Sequence, residues 1–415
     1  MSFVITRPDG SQTASGYRYA APRVGTRTFE STRQQLPPRV DLRPFMTPVE
    51  DQGQTMSCAA NAVAGAYEYL VKRHLAEDEA YDVSRMFIYY NGRAIDGYEG
   101  QDDGSVIGSL IESLKQQGAC SEETWPFEPE QVNEEPSPEA YDEAAGFLVE
   151  DAALVGTSTD EWRKALADGY PIVFGISLYE SFDKQRKPGV VPMPSPREAS
   201  RESHGGHAML AVGYSDADRV FIVRNSWGEG WGDRGYCYIP YDYLCNEKYN
   251  GGDSWIIRRV DEVPADEGWA DDEESLLPEL DSELANMSEE QFHALIDACG
   301  EVPFETRIAH LLLVIAGADG ELGDTELESL AGHLATILEQ AGSQYDPERV
   351  LRFALRHVDD EALLEETVQI FGEHFSAGLR ATLVNIAEEI AASDELGDEE
   401  QDFIAQLVEA WQVER

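Results

Sequence analysis

Three residues far apart in the chain have the types needed for acyl transfer through sulfur. Cys58 opens an apolar helical pattern over Ala59 to Leu70, and a thiol there lies at the positive end of the helix dipole, which favours the thiolate. His207 follows Gly205 and Gly206 at the head of a strand pattern, where an imidazole can face a cleft. Asn225 closes the next strand pattern, Val220 to Val223. Its side-chain carbonyl can accept from the imidazole N–H and turn the other ring nitrogen toward the sulfur. Cys, His and Asn in that order fit nucleophile, base and orienting group. Cys58 by itself reads better as a small buried apolar side chain, so the weight rests on the combination.

The elements that must position these groups lie between residues 37 and 260. Ala59 to Leu70 and Val106 to Leu114 have apolar residues at helical spacing. Pro171 to Ile176, Ala208 to Val212 and Val220 to Val223 are rich in β-branched residues and bounded by Gly, Pro and Asp, which reads as strands. Helices precede strands, so an α+β unit is expected rather than an alternating parallel sheet. Residues 1–35 show no defensible pattern and read as an arginine-containing flexible arm. The acid-rich stretch 128–150 reads as a solvated crossing loop, and 261–287, with Pro264, Pro278 and acidic clusters, as a linker. From 288 to 415 the pattern is helical almost throughout, giving about seven helices in an all-α bundle. Ser288 with Gln291 makes a capping box, and Asp346-Pro347 starts another helix.

The chain has 415 residues with 31 basic and 80 acidic side chains, a net charge of −49. The 40 acids and 6 bases after Val260 make the second part far more acidic than the first, which has 40 and 25. Such a surface repels polyanions, so nucleic acid and anionic membrane are excluded as first partners. Five scattered cysteines with no Cys-x-x-Cys pair argue against a disulfide framework or a cysteine zinc site. His204 with His207 lacks a third ligand and reads as a loop histidine, and Cys237 and Cys245 as buried thiols. No leader-like or bilayer-length apolar run is present, and the expected location is the cytoplasm.

Five motifs in order carry a specific resemblance. They are Val40-Asp41-Leu42-Arg43, Asp51-Gln52-Gly53 with Gln52 six residues ahead of Cys58, Gly118 to Glu122 followed by Trp125-Pro126-Phe127, Gly205-Gly206-His207-Ala208, and Asn225-Ser226-Trp227-Gly228. Residues 36–260 resemble a papain-family cysteine peptidase of bacterial type without the usual disulfides. The resemblance implies a helical lobe and a β-barrel-like lobe with the site between them. It implies Cys58 as nucleophile, His207 as base, Asn225 as orienting group, and Gln52 as a side-chain donor to the tetrahedral oxyanion. Met56, Ser57, Gly104, Gly206 and Trp227 are implied as the substrate groove, with Trp227 also covering the His207–Asn225 bond. No cofactor is implied for catalysis, and the partner is a protein or peptide substrate. Met56 stands where the family usually has glycine, and a thioether there should crowd the substrate, predicting restricted acceptance or an occluded, regulated site. The residues before Leu36 are too few for the family's helical propeptide domain, leaving either another form of control or the arm lying in the cleft.

Two segments of the acidic part repeat one another, Ile315 to Glu326 and Ile390 to Glu400, each an apolar helix end, an acidic turn and a new capped helix. Residues 288–415 resemble the TerB-like domain of tellurite-resistance systems. That likeness implies a divalent cation at Asp319, Asp324, Glu326, Asp394, Asp398 and Glu400, and a protein partner. The residue types alone favour helix capping. The expected function is a cytoplasmic thiol endopeptidase acting through a Cys58 acyl-enzyme, with the helical part as adaptor or regulator. A catalytically silent peptide-binding module, or an isopeptidase or transpeptidase using the same thiol, are the alternatives.

Overall fold

The computed structural model describes residues 3–22, 25–74, 82–145, 149, 151–200, 205–258, 274–317, 324–393 and 398–413. The chain divides into two compact units. One holds residues 1–5 and 12–277, the other residues 6–11 and 278–415.

β1 (Phe3–Thr6) and β2 (Gln12–Ser15) pair as a two-stranded sheet, and in the first unit β3 spans Arg39–Asp41. The expectation of a featureless arm is corrected here. Phe3-Val4-Ile5-Thr6, the Asp9-Gly10 turn and Gln12 to Ser15 form a hairpin signature, with Gly10 at φ +75° and Asp9 accepting from the Ser11 N–H at 2.9 Å. The helices follow as α1 (Cys58–His74), α2 (Arg85–Asp96), α3 (Ile107–Gln117) and the short α4 (Pro138–Ala144). α1 is buried on nearly every described side chain, so it is the axis of the unit. α4 lies inside the stretch read as a solvated loop. Ser137 caps it, Pro138 takes its first position, and Ala140 and Ala144 pack against Phe87 and Cys120.

The remaining strands are β4 (Asp151–Leu154), β5 (Ile172–Leu178), β6 (Gly205–Ser215), β7 (Val220–Arg224), β8 (Tyr236–Pro240) and β9 (Ser254–Arg258). α5 (Thr159–Ala167) and α6 (Tyr241–Leu244) connect them. The sheet has seven strands in the order β4-β9-β5-β6-β7-β8, with β3 on β6, and it is open, so the barrel-like description is corrected to an antiparallel sheet. Its mixed α+β character is that of the sequence expectation. β6 packs on α1, and its pairing with β5 sets Ile176 opposite His207 and Ser177 opposite Gly206. A bulge between Ala211 and Gly213 bends β6 where β3 crosses it. Trp162 of α5 is fully buried, its ring 5.1 Å from Phe174 and 5.0 Å from Phe221.

The second unit is helical. The one-turn α7 (Glu283–Asn286) precedes α8 (Glu289–Cys299), α9 (Phe304–Ile315), α10 (Asp324–Ala341), α11 (Pro347–Ala354), α12 (Glu361–His374), α13 (Ala377–Ser393) and α14 (Asp398–Trp411). α9 is buried nearly all round and touches α10 to α14, which makes it the centre of the bundle. Its Arg307 is buried and donates to the carbonyls of Cys299 at 2.9 Å and Val302 at 3.0 Å, closing the end of α8. The Ser288 and Gln291 capping box is formed. The stretch read as a linker is structured at its far end. Leu276 and Leu277 pack on the first core, and Leu284 and Met287 enter the second. Among the described residues no helix is long and apolar enough to cross a membrane.

Candidate active site

Cys58 is the first residue of α1, set there by a tight loop in which the Thr55 hydroxyl donates to Gln52 O at 2.8 Å and the Asn61 side-chain amide donates to Ser57 O at 3.1 Å. The Ser57 side chain turns inward to Thr55 and Asn61, so it offers no hydroxyl to a groove. His207 lies near the start of β6, and Asn225 follows the last residue of β7. His207 Nε2 donates to Asn225 Oδ1 at 2.8 Å, and the same oxygen accepts the Ser226 N–H at 2.9 Å. The neutral ring therefore carries its proton on Nε2, leaving Nδ1 as the basic atom. Trp227 lies over the ring at a centroid distance of 4.8 Å and itself packs on Phe182 and Trp231.

Gln52 is held from two sides. Its backbone N–H donates to Ser226 O at 2.9 Å, and its Oε1 accepts the Ser226 hydroxyl at 2.6 Å. That bond turns Nε2 outward, where it donates to Thr55 O at 2.8 Å and to Ala14 O at 3.1 Å.

Ala14 belongs to the N-terminal arm, and the arm runs through the cleft. The Gly16 N–H donates to Cys58 Sγ at 3.3 Å, Gly16 O accepts from Ser105 N at 2.9 Å, and the N–H groups of Tyr17 and Arg18 donate to Gly206 O at 3.3 Å and Ser105 O at 3.0 Å. The crossing is made by bare backbone. A Cβ on Gly16 would lie 1.9 Å from Met56 O, and one on Gly104, at φ +85°, would lie 1.9 Å from Gly16 O. Met56, half-buried, is fixed by its N–H donating to Asp102 Oδ1 at 3.0 Å, an oxygen that also accepts the Tyr89 hydroxyl at 2.6 Å. Met56 and Gly104 thus flank the point where the arm passes the sulfur.

This covering changes the electrostatics from those expected of an open thiol. Cys58 is fully buried, and burial pushes its thiol up to about 11, against the lowering effect of the Ala208, Gly16 and Ala59 N–H groups. Burial holds His207 down to about 4, against the opposing effect of its bond to Asn225. The low-pKa thiolate expected from the helix dipole is absent in this closed form because desolvation outweighs the dipole. With the arm in place, thiol and imidazole are both neutral.

The arm is also not presented for cleavage. Attack needs one peptide group with its carbon at the sulfur and its oxygen at the oxyanion donors. Here an N–H of Gly16 faces the sulfur, while the oxygen at Gln52 belongs to Ala14.

Asp102, Ser226 and Asp253, whose Oδ2 accepts the hydroxyl of Tyr17 in the arm at 2.8 Å, were not among the residues singled out from the sequence. Only Ser226 had a signal, as a member of the Asn-Ser-Trp-Gly motif. Of the acids named for a cation, Asp319 and Asp394 lie outside the described residues, as does His204, while Asp324, Glu326, Asp398 and Glu400 fall in the first turns of α10 and α14. Among the described residues one acidic group, Glu50, Glu68 and Asp82, brings its oxygens within 4.8 Å of one another. Arg85 lies 2.8 Å from Glu50, and Thr47 and the Val83 N–H donate to Glu68, so two of the three carboxylates already have partners within the fold.

A cysteine opening a helix, a histidine hydrogen-bonded to an asparagine on the sheet, and a side-chain amide in the loop before the cysteine are the parts of a thiol hydrolase. Residues 36–250 match the family model described as papain family cysteine protease, and the chain belongs to that family. An uncharacterized peptidase C1-like protein of Acanthamoeba polyphaga mimivirus is 36% identical over 254 residues, 56% of this chain and 80% of that protein. Pro-cathepsin H of Bos taurus is 27% identical over 215 residues, 49% of this chain and 59% of that protein. The crystal structure of xylellain, a cysteine protease from Xylella fastidiosa, superposes with a TM-score of 0.54 at 33% identity, covering 59% of this chain and 96% of that one. The chain is a cysteine peptidase, a class that needs no cofactor for its chemistry.

Proposed function

We propose that this chain is an endopeptidase that cleaves proteins or peptides through an acyl-enzyme on Cys58, and that residues 13–18 keep it latent by filling the cleft. Once the arm withdraws, His207 Nδ1 takes the Cys58 proton and the sulfur attacks the substrate carbonyl carbon. The resulting oxyanion accepts from Gln52 Nε2 and the Cys58 backbone N–H, two fixed donors in a site shielded from water. His207 then passes its proton to the leaving amine. In the second half His207 deprotonates water, which attacks the thioester, releases the acid and restores the thiol. Asn225 keeps the ring in the required tautomer throughout, and Trp227 shields the bond that does so.

The observation that carries this reading is the 2.8 Å bond from His207 Nε2 to Asn225 Oδ1, because it assigns the free base to Nδ1. The test is stoichiometric alkylation of Cys58 by iodoacetamide together with turnover of a fluorogenic peptide. Both should be lost in His207→Ala. Alkylation that persists unchanged in that variant would refute the reading, and alkylation without any peptide turnover would favour the silent binding module.

We further propose that the helical unit is a TerB-like adaptor for a protein partner, with a divalent cation at its acidic turns. Calorimetric titration of the full chain with Ca²⁺ or Mn²⁺, compared with Asp319→Asn/Asp394→Asn, tests the cation. The five free thiols suit a reducing cytoplasm.

A further inference from the structure

Arg7-Pro8-Asp9-Gly10-Ser11 closes on itself as a turn. The Arg7 N–H donates to Ser11 O and the Gly10 N–H to Arg7 O, both at 2.9 Å, and Gly10 takes the left-handed conformation at φ +75°. Asp9 locks the turn with one oxygen. Its Oδ1 accepts the Ser11 N–H at 2.9 Å and the Ser11 hydroxyl at 2.6 Å, which leaves Oδ2 to face outward. Although it lies near the start of the chain, this turn is part of the helical unit, whose residues are 6–11 and 278–415. Asp9 Oδ2 lies 3.3 Å from Arg349 Nη1, and the Asp9 side chain is only 10% exposed. One helical turn beyond Arg349, on the same face of α11, the ring of Phe353 lies against Gly10, where an added Cβ would stand 2.9 Å from a ring carbon. Pro8 is buried as well. Val350, Leu351 and Ala354, on the other side of α11, belong to the core of the bundle, so the turn is seated on a fixed support.

The same arm closes the cleft a few residues later. Ala14, three residues after Ser11, already has its carbonyl on Gln52, and Gly16 is at the sulfur. Three residues reach at most about 10 Å, and these belong to β2, which is paired with β1, so they hold little slack. A seated turn and a filled cleft are therefore parts of one arrangement. We infer that the helical unit locks the arm: Arg349 and Phe353 of α11 seat the Asp9-Gly10 turn, and emptying that seat releases residues 13–18 from Cys58.

The chain itself carries the coupling. With the turn seated, residues 13–18 are held from both ends, by Arg349 on Asp9 before them and by the Phe29 N–H on Leu154 O after them. A plug that detaches is then returned to the cleft at high effective concentration. With the seat empty one end is loose, and the arm can swing clear. This role rests on the reading that residues 13–18 keep the enzyme latent, and it makes the helical unit the element that governs latency.

The test is the rate of Cys58 alkylation by iodoacetamide in the full chain for wild type, Arg349→Glu, Asp9→Asn and the double variant. Arg349 is in the first turn of α11, where glutamate suits the helix dipole, so Arg349→Glu does not threaten the bundle. It sets a carboxylate against Asp9 in place of a guanidinium, and labelling should rise about five- to tenfold. Asp9→Asn keeps an oxygen for both Ser11 donors and removes only the charge, and labelling should rise about threefold. In the Asp9→Asn background Arg349→Glu should add no more than about twofold, because the pair it acts on is gone. Calorimetric transitions matching those of wild type establish that each variant is folded. Labelling of a folded Arg349→Glu protein at the wild-type rate, or an undiminished effect of Arg349→Glu without the Asp9 charge, overturns the lock. Hydrolysis of a fluorogenic peptide should rise by the same factors as labelling. Absence of hydrolysis in every variant would refute the peptidase, and the labelling rates would still decide the lock.

Discussion

Gly16→Ala should turn the enzyme on without touching any group that does chemistry. A methyl group at Gly16 would stand 1.9 Å from the carbonyl oxygen of Met56, 2.4 Å from its carbonyl carbon and 2.5 Å from its Cβ. Two of those three atoms are backbone, and Met56 is anchored through its N–H to Asp102, so no rotamer change can relieve the overlap. Overpacking of this kind costs about 1–3 kcal/mol, and a rigid backbone obstacle puts this case near the upper end. The arm has an exit and the loop does not, so the strain should shift the closed-to-open equilibrium on the order of 100-fold. In the full chain, Cys58 alkylation and hydrolysis of a fluorogenic peptide should both rise toward that factor. Gly100→Ala, where an added Cβ meets nothing within 4 Å, is the control and should behave as wild type. A Gly16→Ala protein that is folded yet labels no faster than wild type would refute the view that backbone contact with Met56 closes the site.

Gln52→Ala should lower peptide hydrolysis on the order of 10²–10³-fold, since it removes one oxyanion donor. Cys58 alkylation should not fall, because alkylation develops no carbonyl oxyanion, and a parallel loss of both would point to a collapsed loop instead. The pH dependence of stability has a definite sign at His207, held by burial at about 4 against an ordinary 6.5. Its contribution is fully present above pH 6.5 and is lost as pH falls toward 4, by about 3 kcal/mol. In denaturant titrations the stability of wild type relative to His207→Gln should therefore fall by about that amount between pH 7 and pH 4, and a difference that stays constant with pH would contradict the burial of the ring. In the helical unit Trp411 is buried with its indole N–H on Val368 O at 2.9 Å. Trp411→Ala should destabilise that unit by about 3–5 kcal/mol, read as a lowered transition in calorimetry with the peptidase unit unmoved.

The sequence was most informative where chemistry and periodicity coincide. Cys58, His207 and Asn225 stand out because few residue types do this chemistry and each is flanked by a readable element boundary, whereas Gln52 was reached only through the resemblance carried by Asp51-Gln52-Gly53. The helical stripes of residues 288–415 were legible for the same reason, since apolar spacing and caps agree. The arm was not, because its role depends on what it lacks. Gly16 matters only when Met56 and Gly104 are brought against it, a juxtaposition over a separation no local pattern encodes. Asp253 was equally hidden among glycines and gains meaning only from the ring of Tyr17. The helix at Pro138 was missed although Ser137-Pro138-Glu139 is a sound start signal, because the acid content of the surrounding stretch outweighed it. The thiol's electrostatics reversed for a related reason: a dipole is visible in sequence, whereas the removal of water by a distant segment is not.

Because the plug and the cleft are parts of one polypeptide, their contacts need not be strong to be decisive. A covalently joined ligand meets its site at an effective concentration in the millimolar range, so an intrinsically weak self-peptide can keep the groove shut at any dilution. A single nick between Arg18 and Phe29, ahead of the Phe29 N–H that pairs with Leu154, would cancel that advantage. From then on the excised strand would have to compete as a free peptide, and activation would become a matter of how dilute the protein is.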